Sequence, residues 1–292
     1  MTLPNFIIVG AAKAGTTALY WYLSEHPAVY MSPVKETFYF AYGVDSAGRL
    51  LYGDPEVHRF PIRTRSEYEA LFAAAGDAAA IGEASPIYLE CPQAPGRIRE
   101  TIPSARIVAS LRQPVDRAYS DYLMYLRRRG RRLDPARDLR SDAEWARPES
   151  RWMLVSRYAD QVRRYFDLFP REQVHVALFD DLRRDPVGMA QTVYRFVGVD
   201  PAFHPDVDTP HAGGGIPKSR MLERMFTSRK LRSALEPLVP VRAANWIRRF
   251  RGRTMSRPPA LPSALRRQLT EHFRDDIAET SELIGRKLDH WL

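Results

Sequence analysis

Short apolar runs alternate with amphipathic segments over the first 200 residues of the chain. The runs lie at residues 6–9, 78–82, 106–111 and 174–179 and contain few polar side chains. Runs of this kind are typical of strands that are buried on both faces of a parallel sheet. The segments between them place apolar residues three and four positions apart, as amphipathic helices do. The pattern predicts a three-layer α/β fold with a mostly parallel central sheet and helices on both faces.

Capping and helix-breaking residues set the expected helix boundaries. One helix is predicted to begin near Thr16 and to end at His26, which precedes a proline. A second is predicted to run from Ser66, as the N-cap, to Ala75, and a third to have Pro114 in its first turn. The remaining predicted helices occupy residues 151–168, 180–197 and 262–292.

We expect the 292 residues to form a single domain, since a chain of this length can bury a large core. Residues 1–200 form the predicted α/β core. Residues 200–260 combine a loop rich in Pro and Gly with a basic amphipathic segment at 219–257, and residues 262–292 form a C-terminal helix. The first apolar run begins at Phe6, so we expect no signal peptide and a cytoplasmic location. The sequence contains no run of 18 apolar residues, so no membrane-spanning helix is expected.

The chain is basic, with a formal net charge of +9, and only five of its 44 basic residues are lysines. A basic surface suits an anionic cofactor, an acidic acceptor, a nucleic acid or an anionic lipid, and does not choose among them. The single cysteine, Cys91, excludes an internal disulfide and a metal site built from several cysteines.

A glycine-rich turn follows the first apolar run. Gly10 and Gly15 have the spacing of the nucleotide-binding loop G-x-x-x-x-G-K-[ST]. Thr16 stands where that motif has its lysine, and the lysine of this chain lies inside the loop, at Lys13. A strand, a glycine-rich loop and a helix in this order direct N–H groups towards an anion. The sequence therefore predicts a phosphate-binding loop that lacks the usual triphosphate and Mg²⁺ residues.

Polar residues also follow the other predicted strands. Lys35 and Glu36 come after a short extended piece at residues 29–31, Ser85 after the run at 78–82, and Arg112 after the run at 106–111. Ligands of parallel sheets bind beyond the carboxyl ends of the strands. We therefore expect these residues to share one crevice with Lys13.

Taken together, these motifs resemble those of sulfotransferases that depend on 3′-phosphoadenosine 5′-phosphosulfate (PAPS), in the bacterial branch related to heparan sulfate sulfotransferases. Residues 10–17 resemble the family's loop for the 5′-phosphosulfate. Arg112 and Ser120, eight residues apart, resemble the pair that holds the 3′-phosphate. Three further features are similar to those of the family: the sequences at 179–182 and 196–199, and a C-terminal helix that ends in Trp291. The resemblance implies the sulfotransferase fold, which is similar to that of P-loop NTPases.

The resemblance also implies roles for individual residues. Lys13 would neutralise charge on the leaving group, Glu36 would act as general base, and Lys35 would bind sulfate oxygens. The implied cofactor contacts are Ala12, Lys13, Ala14, Gly15, Thr16, Thr17, Arg112, Ser120, Gly214 and Lys218. The expected acceptor contacts are Phe40, Tyr88 and Ser85. PAPS is the implied cofactor, 3′,5′-ADP the product, and no metal is expected.

The resemblance leaves two questions about the site open: the position of the second catalytic lysine and the identity of the general base. Ala84 stands where the heparan-type relatives have a lysine, so the second catalytic lysine is either absent or supplied by Lys35. Another branch of the family uses a histidine as the base, and the histidines considered for that role are His58, His175, His204 and His211.

The sequence leaves the acceptor open: a hydroxyl of a small molecule, a glycan or a lipid. Two other functions remain alternatives. A nucleotide-dependent kinase would share the fold, but the missing lysine after Gly15 disfavours it. A basic protein that binds membranes or nucleic acid without catalysis would explain the charge, but not the loop or Arg112. We expect no nucleic-acid partner, and the segment 219–257 is a candidate for peripheral membrane contact.

Overall fold

The computed structural model describes residues 2–42, 62–129, 139, 151–207, 216–217, 255–256 and 260–292. Five parallel strands form its central sheet: β1 (Phe6–Gly10), β2 (Val29–Met31), β3 (Ala80–Ala84), β4 (Arg106–Leu111) and β5 (Val174–Leu178). The strand order is β2-β3-β1-β4-β5, so β1 lies in the middle. Ile7 of β1 is opposite both Glu83 of β3 and Ile107 of β4. The predicted parallel sheet is confirmed. Residues 216–217 (β6) and 255–256 (β7) form a separate antiparallel pair.

The helices of the described residues surround this sheet. They are α1 (Thr16–Glu25), α2 (Arg65–Ala70), α3 (Ile87–Glu90), α4 (Ala94–Thr101), α5 (Pro114–Arg129), α6 (Arg151–Leu154), α7 (Ala159–Leu168), α8 (Phe179–Arg184), α9 (Pro186–Val197), α10 (Ser263–His272) and α11 (Arg274–Ile284), with 3₁₀ turns at Arg171–Gln173 and Asp289–Trp291. None of the helices in these ranges is long and apolar enough to cross a membrane.

The alternating side chains of β1 enter two different apolar layers. Phe6 and Ile8 pack in a layer that includes residues of α1 and α9. Ile7 and Val9 pack in the larger layer with residues of α3, α4, α5, α7, α10 and α11. All four side chains are fully buried, because helices cover both faces of the sheet. This double burial explains the unbroken apolar run in the sequence.

Three long predicted helices are each divided in two by a local break. Residues 155–158 separate α6 from α7, and Phe273 separates α10 from α11. The break between α8 and α9 occurs at Pro186, which has no N–H and suits a first helical position. Asp185 caps the new helix, since its side chain accepts a hydrogen bond of 2.9 Å from the Gly188 N–H.

The boundaries of two other elements differ from the prediction. Thr64, and not Ser66, is the N-cap of α2: its hydroxyl accepts from the Glu67 N–H at 3.2 Å, and the Glu67 carboxylate accepts from the Thr64 N–H at 3.0 Å. This reciprocal capping box fixes the helix start, and the helix ends at Ala70 instead of Ala75. The third strand along the chain extends to Ala84 and so contains the charged residue Glu83. Helices α3 and α4 were not predicted.

The structure requires glycine where α1 begins. Gly15 has a φ of 88°, and a Cβ atom there would lie 2.4 Å from Leu182 Cδ2 and 2.9 Å from Phe179 Cδ2. Gly76 offers a matched comparison, since its φ is 54° but nothing lies within 4 Å of the position of a Cβ atom.

We predict that Gly15→Ala destabilises the fold much more than Gly76→Ala. The left-handed backbone alone costs an L-residue about 1–2 kcal/mol, and this loss of stability is common to both variants. Forcing a methyl group into the packed site of Gly15 costs about 1–3 kcal/mol more. Urea unfolding measures both free energies. Equal losses would contradict the close packing of α8 against the loop.

Candidate active site

Side chains from outside the loop bind the carbonyl groups of three successive loop residues. Ser110 Oγ donates to the Ala14 carbonyl at 2.7 Å. Arg112 Nη1 donates to the Lys13 carbonyl at 3.1 Å, and Arg117 Nη1 to the Ala12 carbonyl at 3.5 Å. The loop carbonyls are therefore held towards β4 and α5.

This arrangement fixes the direction of the loop N–H groups. In a planar trans peptide, the N–H of the next residue points away from the carbonyl. The N–H groups of Lys13 and Gly15 therefore point away from β4 and α5, whereas the Ala14 N–H is used within the loop, at 3.2 Å from the Ala11 carbonyl. The first N–H groups of α1 follow directly and have no acceptor within the helix. Together with the positive end of the helix dipole, these groups are suited to an anion.

The side chains of the loop add positive charge and no negative charge. Residues 10–17 contain no acidic residue. Lys13 has a left-handed backbone, with a φ of 70°, and its Nζ lies 3.7 Å from Met124 Sδ of α5. Thr16 is buried at the start of α1 and Thr17 is partly exposed. The predicted cofactor residues 12–17 thus form one continuous loop and helix start.

Arg112 lies directly after β4 and contacts the segments that follow β1 and β5. In addition to its bond to the Lys13 carbonyl, its guanidinium group lies 4.8 Å from the centre of the Phe179 ring. Burial lowers the pKa of Arg112, but an arginine remains charged at neutral pH. Within the described ranges, no carboxylate forms an ion pair with this guanidinium. A largely buried cation in this position is suited to an anionic ligand.

Arg117 is a site residue that the sequence analysis missed. It is fully buried in α5, where its Nε donates to Ser156 Oγ at 2.6 Å and its Nη2 donates to the Trp152 carbonyl. Asp121, one turn further along the helix, pairs with its Nη1 at 3.1 Å. This i,i+4 pair is the only part of its environment that the sequence could have indicated. Arg117 therefore links the loop to α5 and to the segment after α6.

Ser120 lies in α5 and is partly exposed. Its predicted pairing with Arg112 on one phosphate stays a prediction. Gly214 and Lys218, the predicted late cofactor loop, lie outside the described residues, as does most of the segment 219–257.

The carboxyl end of β3 holds the predicted general base. The Glu36 N–H donates to the Ala84 carbonyl at 2.9 Å, and the Glu36 backbone is left-handed, with a φ of 64°. Lys35 Nζ lies 2.9 Å from Glu36 Oε1, and the two side chains are 21% and 39% exposed. The pair therefore stands at the edge of the sheet that carries Lys13 and Arg112, as predicted.

A second missed residue, Glu83, lies beneath this pair. Its carboxylate is fully buried and accepts four hydrogen bonds from hydroxyl groups. Oε1 accepts from Tyr68 at 2.8 Å and from Tyr88 at 3.1 Å, and Oε2 accepts from Thr37 and from Ser85, each at 2.9 Å. Burial raises the pKa of Glu83, and these four hydrogen bonds oppose the shift. We call these five residues the Glu83 cluster.

The three predicted acceptor contacts are buried in the structure. Ser85 and Tyr88 belong to the Glu83 cluster, and Phe40 packs with its ring 5.3 Å from that of Tyr68 and 5.6 Å from that of Tyr88. These contacts pack the three side chains inside the fold, around Glu83. Their direct contact with an acceptor stays a prediction.

The structure places two of the histidine alternatives away from the loop. His175 is near the amino end of β5, beside a cavity of about 360 Å³ that is also lined by Asp181 and Arg286. Burial and the charge of Arg286 lower the pKa of His175. His204 is exposed in the segment after α9. His58 and His211 lie outside the described residues. No group of three His, Cys, Asp or Glu side chains in the described ranges could hold a metal ion.

The end of the chain closes over the segments after β4 and β5. Trp291 Nε1 donates to Asp180 Oδ2 at 2.8 Å, and Gln113 Nε2 donates to the Trp291 carbonyl at 3.0 Å. The C-terminal turn therefore packs beside Arg112.

Comparisons with known proteins agree with this geometry. Residues 4–205 match the model of the Sulfotransferase family. A sulfotransferase from Alicyclobacillus acidocaldarius has a similar structure, with a TM-score of 0.73 and 32% identity over 100% of this chain and 99% of that one.

Curated relatives include two bifunctional heparan sulfate N-deacetylase/N-sulfotransferases. The chain is 29% identical to human enzyme 3 over 69% of its own length, and 27% identical to mouse enzyme 4 over 99% of its length. It spans only 23% and 31% of these two relatives. The family match covers more than half of the chain, and the five-stranded parallel sheet with its surrounding helices is the sulfotransferase fold. The chain therefore belongs to the Sulfotransferase family.

Proposed function

We propose that this protein transfers the sulfuryl group of PAPS to a hydroxyl group of a small molecule, a glycan or a lipid and releases 3′,5′-ADP. The observation that carries the proposal is the bond of 3.1 Å between Arg112 Nη1 and the Lys13 carbonyl. This bond connects a loop whose N–H groups are suited to an anion with a largely buried cation, Arg112, beside that loop. A cofactor with phosphate groups on both sides of a ribose needs two such sites close together.

The residues present are suited to PAPS. The loop offers N–H groups, Lys13 and no acidic side chain, as an anionic phosphosulfate requires. Arg112 is charged, largely buried and without an ion-paired carboxylate among the described residues, which suits a dianionic 3′-phosphate. Residues 12–17 would hold the 5′ side, and Arg112 with Ser120 would hold the 3′-phosphate.

When bound, PAPS supplies an activated sulfuryl group on an anionic leaving group. Catalysis of such a transfer needs positioning and stabilisation of charge more than covalent chemistry by the protein. Lys13 would place positive charge beside the leaving oxygen. Glu36 would accept the proton of the attacking hydroxyl, and Lys35, paired with Glu36 at 2.9 Å, would place a cation beside the transferred sulfate.

The proposal predicts selective stabilisation by 3′,5′-ADP. This ligand should raise the melting temperature, since at a hundred times its Kd a ligand adds about 2.7 kcal/mol of stability. ADP and ATP, which lack the 3′-phosphate, should have little effect. Transfer of radiolabelled sulfate from PAPS to a panel of hydroxylated lipids, glycans and phenols, in the presence of EDTA, would then identify the acceptor.

The experiment includes a variant of the loop and an outcome that would contradict the proposal. Lys13→Ala should remove the transfer of sulfate, because the loop loses its only formal positive charge. Equal stabilisation by ATP, together with Mg²⁺-dependent phosphate transfer, would overturn the proposal in favour of a kinase.

We predict that Arg112→Ala weakens the binding of 3′,5′-ADP much more than that of 5′-AMP. A hydrogen bond to a charged group contributes about 1.5–3 kcal/mol, which corresponds to about 10- to 150-fold in Kd. Isothermal titration of both ligands measures the difference. Arg99→Ala removes an equal charge from α4, where Arg99 Nη1 donates to the Pro103 carbonyl, and should change neither Kd. Equal losses for both ligands in Arg112→Ala would show that Arg112 does not bind the 3′-phosphate.

We predict that Glu36→Gln lowers kcat by about 10²–10⁴-fold, the usual contribution of a general base. Glutamine keeps the shape of the side chain but cannot accept the proton. The Kd for 3′,5′-ADP should not change, because the carboxylate serves the acceptor. Glu279→Gln is the matched control, since Glu279 forms an exposed ion pair with Arg163. Normal turnover by Glu36→Gln would contradict the assignment of Glu36 as general base and favour one of the histidines in that role.

A further inference from the structure

The segment that carries Glu36 has an unfavourable backbone conformation. Glu36 and Phe38 have φ values of 64° and 63°, and Lys13 is the only other residue besides glycine with a left-handed φ in the part of the chain that is described. For a bulky residue such as phenylalanine, this region of φ is a clear outlier. Such conformations persist only where the surrounding structure holds them.

The residue between these two, Thr37, is held on two sides. Its hydroxyl donates to Glu83 Oε2 at 2.9 Å, and its N–H donates to Ser85 Oγ at 3.0 Å. Ser85 in turn donates to the same Oε2 at 2.9 Å. Thr37 is therefore tied to Glu83 directly through its side chain and indirectly through its backbone.

The Glu83 cluster also binds the backbone further along the segment. The Tyr39 N–H lies 3.4 Å from Thr37 Oγ1, and the Phe40 N–H lies 3.4 Å from the Tyr88 hydroxyl. Each of these oxygens accepts from the backbone and also lies within hydrogen-bond distance of Glu83, at 2.9 Å for Thr37 Oγ1 and 3.1 Å for the Tyr88 hydroxyl, and the two hydroxyl oxygens lie 2.8 Å from each other. An ionised carboxylate only accepts hydrogen bonds, so both of its oxygens can accept from the hydroxyls of the cluster. A glutamine, which has an NH₂ group, cannot.

From these contacts we infer that Glu83 is a positioning residue, which acts through Thr37 and Ser85 to hold residues 36–40 and so fixes the direction of the Glu36 carboxylate. The inference rests on the proposed function, in which Glu36 is the general base. Glu83 itself is fully buried and does not contact the acceptor.

The cluster offers a matched pair of substitutions. Thr37→Val and Tyr68→Phe each remove one hydroxyl that donates to Glu83 and preserve the shape of the side chain. The Tyr68 hydroxyl donates to Glu83 Oε1 and, among the described residues, makes no bond to the backbone of 36–40. A purely structural cluster predicts similar effects of both variants. A positioning role predicts an effect on catalysis from Thr37→Val alone.

The experiment measures transfer of radiolabelled sulfate from PAPS to the best acceptor of the panel, or to water. Thr37→Val should lower kcat by about 10- to 100-fold, the loss expected when a reacting group is misplaced. The KM for PAPS and the melting shift with 3′,5′-ADP should stay unchanged, as should kcat in Tyr68→Phe. Thr37→Ser, which restores the hydroxyl, should recover most of the lost kcat.

Hydrogen exchange gives a readout that does not depend on activity. Peptides that cover residues 34–40 should exchange faster in Thr37→Val than in Tyr68→Phe, because the Tyr39 N–H loses its acceptor, Thr37 Oγ1, and Thr37 loses its bond to Glu83. If Thr37→Val does not fold, Ser85→Ala breaks the same connection at the Thr37 N–H and should lower kcat in the same way.

A double-mutant cycle separates this inference from the proposed function. If Thr37 acts through Glu36, adding Thr37→Val to Glu36→Gln should cause no further loss of kcat. Equal kcat values for Thr37→Val and Tyr68→Phe, with Glu36→Gln impaired, would overturn the inference and leave the proposed base intact. Normal turnover by Glu36→Gln would overturn the proposed base, and the positioning of Glu36 with it.

Discussion

The orientation of the loop carbonyls towards β4 and α5 is the constraint on which the rest of the site depends. Ser110, Arg112 and Arg117 bind three successive carbonyls, and only this orientation frees the N–H groups on the other side. The loop is also packed closely against other parts of the fold. Leu89 and Pro86 approach Gly10 so closely that a Cβ atom there would lie 2.5 Å from Leu89 Cβ. The glycines of the motif are therefore needed for close packing around the loop.

Much of the fold could be predicted because a parallel sheet buried on both faces leaves a strong trace in the sequence. Four of the five central strands coincide with apolar runs, and the carboxyl-end rule placed Lys13, Glu36, Ser85 and Arg112 at one edge. Helix breaks were harder to predict. Periodicity continues across a break such as that at Pro186, so the pattern predicts one helix where local capping makes two.

The site residues that the sequence did not reveal are those whose roles depend on distant partners. Arg117 donates to Trp152 and Ser156, which lie 35 and 39 positions further along the chain. Glu83 accepts hydrogen bonds from Tyr68 and Thr37, which are 15 and 46 positions away. A charged residue in a predicted helix or strand is usually on a solvated face. Only tertiary structure shows that these two are fully buried and hydrogen-bonded. For Glu83, the useful signal was its position at the end of an apolar run.

Lys13 and Glu36 are supported by different parts of the fold. Lys13 depends on β4 and α5 through Arg112, whereas Glu36 depends on β3 through the Ala84 carbonyl and the Glu83 cluster. β1 lies between β3 and β4, and Ile7 is in register with both neighbours. Adjacent strands are held about 4.8 Å apart by main-chain hydrogen bonds. The separation of Lys13 from Glu36 is therefore set by the backbone of the sheet, and the side-chain clusters hold the two residues at that separation.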